Sequence, residues 1–316
     1  MQIAESKIEL NNVNSFEFIK TIPDNSVKCI VMDPPYAINF KGITSNTEWD
    51  TIDDFDKYLF DLFSEIKRVL TDDGTCWCYM ARTQTFTLQK AIEKIGLQNN
   101  LHNWLTYIRA KSRGASKQFK SQCEEVFHIT KTNNYKWDAL EYERECVTPY
   151  VKDGVPRGWG IDQNTGLRIQ FSGVGNALCF TSPFCINKFE PQIHSTQKPV
   201  LLNAMLIMIS SDEGDTVYDF FSGSGSSGVA SILSRRNWIG CELDKDMYQK
   251  SLNWLTNIDY EEASKRIHKR IKYQKDPYPD TFITDLNKIR EIENKNKKSP
   301  ILKGGFFKDL GNKNGS

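Results

Sequence analysis

The sequence predicts an α/β fold: a mostly parallel, twisted sheet with helices on both faces, interrupted by one inserted region. Three observations carry this prediction. Strand-like and helix-like segments alternate through the first third of the chain and again from residue 198. "VKCIVMD" (27–33) is a near-continuous apolar run, the pattern of a parallel strand buried on both faces. Between about 132 and 190 the rhythm fails in turn-rich, aromatic text such as "TPYVKDGVPRGWGIDQNTG", which reads as a module inserted on the sheet.

The elements follow in order. "KIEL" (7–10) is a short strand, and "SFEFIKTI" (15–22) a helix with Phe16, Ile19 and Ile22 on one face, ended by the turn "PDNS". After the strand "VKCIVMD", "FDKYLFDLFSEIKRVL" (55–70) repeats apolar residues at helical spacing until "DDGT" stops it. "TCWCYMA" (75–81) is a strand and "TFTLQKAIEKIG" (85–96) a helix closed by Gly96. "NWLTYIRA" (103–110) and "CEEVFHITK" (123–131) are further strands joined by a basic loop. Past the insertion, "KPVLLNAMLIMIS" is a helix, "TVYDF" a strand, "SSGVASILSR" a helix, "NWIGCEL" a strand and "KDMYQKSLNWLTNI" a helix. The expected organisation is a first catalytic part (1–131), an insertion (132–190), a second catalytic part (191–264) and a basic extension (265–316).

A chain of 316 residues is long enough for one large α/β domain plus an insertion, or for two modest domains, and its net charge of +1 conceals an uneven distribution. Residues 265–316 carry fourteen Lys/Arg against six Asp/Glu, and "RAKSRGASKQFK" (109–120) carries five basic residues and no acid. Local basic stretches on a nearly neutral protein suit a polyanion better than a membrane surface. Among the eight cysteines, Cys29, Cys76, Cys78 and Cys241 sit in apolar strand-like runs and read as buried, reduced thiols. Cys179, Cys185 and His194 fit no zinc-site spacing, so no metal is expected. "MQIAESKIEL" lacks a signal-peptide layout and no apolar run approaches spanning length, so a cytoplasmic enzyme is the expectation.

Chemistry concentrates at two strand ends. "DPPY" (Asp33, Pro34, Pro35, Tyr36) follows the strand "VKCIVM", and two consecutive prolines cannot continue a central strand. They make a stiff loop at the carboxyl edge of the sheet, where open α/β folds bind ligands. The loop offers a carboxylate, a backbone carbonyl and an aromatic ring, which suit a planar base bearing an exocyclic amine. Further on, "DFFSGSGSSG" (219–228) satisfies G-x-G-x-x-G through Gly223, Gly225 and Gly228, with Glu242 placed as a ribose-binding acid. The glycines alone leave open an NAD-dependent oxidoreductase or another adenosine-bearing cofactor. A hydride enzyme explains neither "DPPY" nor "HSTQKPV" (194–200), and its fingerprint belongs at the start of the fold.

"DPPY" resembles motif IV of the amino-group DNA methyltransferases, "HSTQKPV" resembles motif X, and "VYDFFSGSGSSGVASILSRRNWIGCELD" resembles motif I running into motif II. Asp219, Phe220, Phe221, Ser222, Gly223, Ser224, Gly225 and Ser226 match the D-P-F-x-G-S-G-T run, with Phe220 in place of the usual Pro. Asn14 stands where many relatives have Asp. The order of motifs resembles the circularly permuted β class and covers roughly 7–131 and 191–257. The resemblance implies a Rossmann-like class I methyltransferase fold with a target-recognition insertion. It implies S-adenosyl-L-methionine as cofactor and N6 of adenine, or alternatively N4 of cytosine, as acceptor. Asp before the prolines is commoner in the adenine enzymes. A cytosine-C5 enzyme needs a Pro-Cys nucleophile, and none of the eleven prolines precedes a cysteine.

Under this resemblance Asp33 and the Pro34 carbonyl hold the amine, while Tyr36 stacks on the base. Asp219 accepts from the cofactor's ammonium group, Gly223 and Gly225 let backbone approach it, and Glu242 takes the ribose hydroxyls. Lys198 pairs with the cofactor carboxylate, His194 either touches the ligand or positions the loop, and Asn14 bonds the adenine. Gly228 is left as a helix-packing residue. The partner is double-stranded DNA with the target base flipped out. Arg109, Lys111, Arg113, Lys117 and Lys120 read as phosphate contacts, and Arg144, Lys152, Arg157 and Arg168 as candidates for base reading. Phe40 and Trp49 are candidate pocket aromatics. A cognate restriction endonuclease and a homodimer are further partners the resemblance allows, and a non-catalytic DNA-binding relative is the remaining alternative.

Overall fold

The computed structural model describes residues 2–3, 6–37, 53–113, 117, 121–138, 141–145, 151–152, 155–156, 160–161, 168–173, 176–179, 190–261 and 263. The chain begins β1 (Gln2–Ile3), β2 (Ser6–Asn11), α1 (Ser15–Thr21), β3 (Val27–Met32), α2 (Phe55–Val69), β4 (Leu70–Met80) and α3 (Thr85–Lys94). It continues with β5 (Leu101–Arg113), β6 (Ser121–Thr130), β7 (Glu141–Glu145), β8 (Val151–Lys152), β9 (Val155–Pro156), β10 (Gly160–Ile161), β11 (Arg168–Gly173) and β12 (Ala177–Cys179). The last elements are α4 (Val200–Ser210), β13 (Thr216–Asp219), α5 (Ser226–Leu233), β14 (Asn237–Cys241) and α6 (Lys245–Asn257). No helix among the described residues is long and apolar enough to cross a membrane.

Two compact units result: Met1–Trp137 with Asn176–Tyr260, and Asp138–Gly175 with Glu261–Ser316. The first is built on a nine-stranded sheet in the order β1-β2-β14-β13-β3-β4-β6-β5-β12. Strands β2, β14, β13, β3 and β4 run parallel, whereas β6 runs antiparallel to both β4 and β5. The sheet is therefore mostly parallel, as the sequence predicts. β12 joins its edge beside β5, although 177–179 falls within the stretch that the sequence assigns to the insertion. In the second unit β7, β10 and β11 form an antiparallel sheet, with Phe171 opposite Glu143, and β8 pairs with β9.

Alternation along β4 shows why both faces are covered. Cys76, Cys78 and Met80 enter one core with Ile19 of α1, Leu59, Leu62, Phe63 and Ile66 of α2, and Leu88 and Ile92 of α3. Trp77 and Tyr79 face the other way and meet α4, the Trp77 indole donating to Ser210 Oγ at 3.0 Å. Spacings of three and four between Leu59, Leu62, Phe63 and Ile66 give α2 the apolar stripe read from the sequence. Asp54 caps α2 through the Lys57 N–H at 2.9 Å. Cys29, Cys76, Cys78 and Cys241 are buried free thiols, and burial pushes Cys29 up to about 12. One expectation shifts: the strand expected to begin at Thr75 starts at Leu70, so "DDGT" lies inside β4 and the extra residues are absorbed as a register shift against β3.

Candidate active site

β3 and β13 are parallel neighbours, with Val217 opposite Cys29 and Tyr218 opposite Ile30. From β13 the chain crosses through α5 to β14 on one side, and from β3 through α2 to β4 on the other. The strand order reverses between them, which opens a crevice at their carboxyl ends. Asp219 ends β13 and Asp33 directly follows β3, so both motifs point into that crevice. Ala37, just past "DPPY", has a φ of 52°, a left-handed conformation costly for a side-chain-bearing residue.

In the "DPPY" loop the Tyr36 hydroxyl donates to Asp33 Oδ1. Burial, followed by the Asp33 and Glu124 charges, pushes the Tyr36 phenol well above its ordinary value, so it stays a donor. Gln84 holds the loop from outside, its amide donating to the Tyr36 carbonyl at 3.0 Å. Pro34 is buried. Lys198 arrives from the turn before α4 and places Nζ 2.5 Å from Asp33 Oδ2 and 3.2 Å from Glu124 Oε2. Burial opposes the Lys198 charge, but Asp33 and Glu124 outweigh it and hold the ammonium above its usual range.

His194 shapes that turn. Its Nδ1 lies 2.8 Å from the Thr196 hydroxyl and accepts from the Thr196 N–H at 3.3 Å, while burial lowers its pKa. A neutral imidazole held this way organises the loop. Glu190 then caps α4, accepting from the Val200 N–H at 3.0 Å where Pro199 offers no side-chain cap. Asn14 likewise serves its own helix, accepting from the Phe16 N–H at 2.8 Å as the α1 N-cap.

The glycine segment folds around two carboxylates. Asp219 accepts from the Ser227 hydroxyl and from the Phe221 N–H at 3.0 Å. Burial pushes Asp219 up to about 7 against these hydrogen bonds, and the charges of Asp33 and Glu242 add to the rise. Glu242 accepts from the N–H groups of Gly223 at 2.9 Å and Asp244 at 2.8 Å, and burial raises it too to about 7. Gly223 and Gly225 have φ of 49° and 81°, which only glycine adopts without strain. Ser222 is fixed by its N–H and hydroxyl on the Cys241 carbonyl at 3.0 and 3.1 Å, and Ser224 is buried. Phe220 is buried against Tyr218 and Phe18, so the residue replacing the usual proline is a core residue, with Phe221 packed alongside. Gly228 packs: a Cβ there would lie 2.9 Å from Leu255 and 3.1 Å from Trp238.

Tyr79 connects the two loops, donating to Asn203 Oδ1 at 2.7 Å, and Asn203 donates to Ser226 Oγ at 3.2 Å. Tyr79, Asn203, Ser227 and Glu124 escape a sequence reading. Only Glu124 leaves a signal: adjacent carboxylates in the apolar strand "CEEVFH" demand partners. Glu125 faces the other way and takes the Trp104 indole at 2.6 Å.

The basic stretch lies at the same edge. β5 and β4 are both antiparallel to β6, and Met80 at the end of β4 aligns through Glu125 with Thr106 of β5. The hairpin backbone from Thr106 to Arg113, carrying Arg109, Lys111 and Arg113, therefore projects beyond the "DPPY" strand ends by about 13 Å, the four residues from Glu125 to Ser121 on the paired strand. Lys117 is exposed, and Lys120, Phe40, Trp49 and Arg157 lie outside the described residues. Arg144, Lys152 and Arg168 sit on β7, β8 and β11 of the second unit.

A family model described as DNA methylase, for N6/N4 enzymes, matches residues 27–253. The type II methyltransferase M1.MboII of Moraxella bovis is 26% identical over 265 residues, 79% of this chain and 96% of its own length. The DNA adenine methyltransferase YhdJ of Escherichia coli K12 is 26% identical over 256 residues, 75% of this chain and 79% of its own. Two solved structures share the fold. The cytosine-N4-specific PvuII DNA methyltransferase aligns with a TM-score of 0.57 at 16% identity, over 84% of this chain and 93% of that one. TTHA0409 of Thermus thermophilus, complexed with S-adenosyl-L-methionine, aligns at 0.51 and 15% identity, over 80% and 95%. With its two motif-bearing strand ends side by side in a Rossmann-like sheet, the chain belongs to the N6/N4 DNA methylase family.

Proposed function

We propose that this DNA methyltransferase moves a methyl group from S-adenosyl-L-methionine to the N6 amine of adenine in duplex DNA. The observation that carries the reading is Asp33, fixed at the end of β3 next to the glycine loop that ends β13. A carboxylate there accepts an amine hydrogen beside the methyl donor's site, and an Asp before the two prolines favours adenine. The similarity to an enzyme named a DNA adenine methyltransferase points the same way. Cytosine N4 is the second reading, favoured by the fold shared with the PvuII enzyme.

The residues at β13 and β14 fit a cationic adenosyl cofactor. Asp33, Asp219 and Glu242 line one crevice, where burial holds Asp219 and Glu242 near 7. Bound there, S-adenosylmethionine supplies an electrophilic methyl on a sulfonium. Asp219 would accept from its ammonium end, and the backbone of Phe220, Phe221, Ser222, Gly223, Ser224 and Gly225 would line the site. Glu242 would receive the ribose hydroxyls. Asp33 and the Pro34 carbonyl accept the two amine hydrogens and aim the nitrogen lone pair, so that positioning supplies the rate. Tyr36 stacks on the flipped base.

The projecting backbone of 106–113 supports phosphate contact by Arg109, Lys111 and Arg113, with Lys117 and Lys120 in the same basic stretch of sequence, and Arg144, Lys152, Arg157 and Arg168 are the candidates for base reading. A cognate restriction endonuclease is a partner suggested by the type II name of the Moraxella relative. The test is to incubate the protein with DNA and tritiated S-adenosylmethionine, digest, and chromatograph the nucleosides. Label in N6-methyldeoxyadenosine supports the reading; label in the N4-methylcytosine nucleoside, or in RNA alone, overturns it.

A further inference from the structure

Protein oxygens already engage the Lys198 ammonium. Its Nζ lies 2.5 Å from Asp33 Oδ2, 3.2 Å from Glu124 Oε2 and 3.3 Å from the Thr196 carbonyl. Two of these contacts are hydrogen bonds and the third, to Glu124, is an ion pair, so the ammonium is held on three sides. Its side chain is 6% exposed, and the Tyr79 and Tyr36 rings lie 5.2 and 5.8 Å away. Asp33 is held from both sides as well, Oδ1 by the Tyr36 hydroxyl and Oδ2 by Lys198. Two donors fix the plane of that carboxylate, yet each oxygen keeps a lone pair for an amine hydrogen.

We infer that Lys198, steered by Glu124, is a positioning residue for Asp33 and is not the anchor of the cofactor's carboxylate. The inference rests on the methyl-transfer reading above. The turn that delivers Lys198 is itself pinned, by His194 on Thr196 and by Gln197 Oε1 on the Ile193 N–H at 3.0 Å. With one cation between two carboxylates, the cluster keeps one net negative charge. Asp33 thus remains a strong acceptor while its orientation is set. Without Lys198, Asp33 and Glu124 repel each other and the carboxylate loses its fixed plane.

The test compares wild type with Lys198→Met, Lys198→Arg and Glu124→Gln. It measures kcat and KM for DNA methylation and calorimetric affinities for two probes. S-adenosylhomocysteine carries the amino-acid end, and 5′-methylthioadenosine lacks it. Lys198→Met is expected to lose about a hundredfold in kcat, the scale of a misplaced electrostatic group. Its affinity for S-adenosylhomocysteine and its preference over methylthioadenosine should stay unchanged. Lys198→Arg should recover about tenfold of the lost kcat, since a guanidinium still bridges two carboxylates. Glu124→Gln should lower kcat without altering either affinity. A near-normal kcat in Lys198→Met, with the preference for S-adenosylhomocysteine lost, overturns the inference. A double-mutant cycle of Lys198→Met and Asp33→Asn on the unfolding of ligand-free protein separates this claim from the methyl-transfer reading. Coupling of about tenfold in the unfolding constant supports the pairing, and additivity overturns it, even if wild type proves not to methylate DNA.

Discussion

Raising the pH from 6 to 8 should tighten cofactor binding by about a hundredfold. Burial holds Asp219 and Glu242 at about 7, against ordinary values of 3.8 and 4.5. In the roles proposed for them, both must be ionised to act purely as acceptors for an ammonium group and two ribose hydroxyls. At pH 6 a group titrating near 7 is about nine-tenths protonated, and ionising it costs about 1.4 kcal/mol; at pH 8 that cost has almost gone. Two groups give about 2.8 kcal/mol, or a hundredfold in Kd. Calorimetry with S-adenosylhomocysteine at pH 6, 7 and 8, in buffers of different ionisation enthalpy, reads both affinity and proton release. Release should be greatest at pH 6 and vanish by pH 8. A Kd independent of pH, with no proton release, would refute the reasoning. The same groups act on the ligand-free fold with a defined sign. Between about 4 and 7 the folded state binds more protons than the unfolded chain, so stability falls with rising pH, by up to about 1.4 kcal/mol per unit and group. The loss levels off above 7.

Other expectations rest on single contacts. Gly228→Ala places a methyl 2.9 Å from Leu255 and 3.1 Å from Trp238. It should cost about 1–3 kcal/mol in thermal or urea unfolding, with cofactor affinity per folded molecule retained. Ser227→Ala removes the donor to Asp219 and the acceptor of the Trp238 indole at 3.1 Å. It should destabilise by about 1–3 kcal/mol and move the pH at which binding tightens further up. Asp33→Ala should lower methyl transfer at least about a hundredfold while the circular dichroism melt shows a folded protein. Alanine at Arg109, Lys111 and Arg113 should reduce the salt dependence of DNA binding by about one unit of slope per lost phosphate contact, leaving cofactor affinity unchanged.

Much of this architecture is legible in the residues because local signals agree with the final packing. The stripe on α2, the apolar run of β3 and the turn after each motif strand place Asp33 and Asp219 at strand ends before any pairing is known. Strand direction is not legible: "NWLTYIRA" and "CEEVFHITK" form a hairpin, and periodicity carries no sign of the reversed β6. A three-residue edge strand such as β12 is too short to show a period of two. The site divides in the same way. The glycines and Glu242 act within one loop-strand unit, where spacing is informative. The partners of Lys198 depend on tertiary folding, since Asp33 is 165 residues away in sequence and Glu124 is on another strand.

Modification-sensitive long-read sequencing of unmodified DNA treated with the protein and S-adenosylmethionine tests the central claim most directly. The account predicts N6-methyladenine at one recurring sequence, absent after treatment with Asp33→Ala. N4-methylcytosine at that sequence, or a modification pattern no different from untreated DNA, would contradict it.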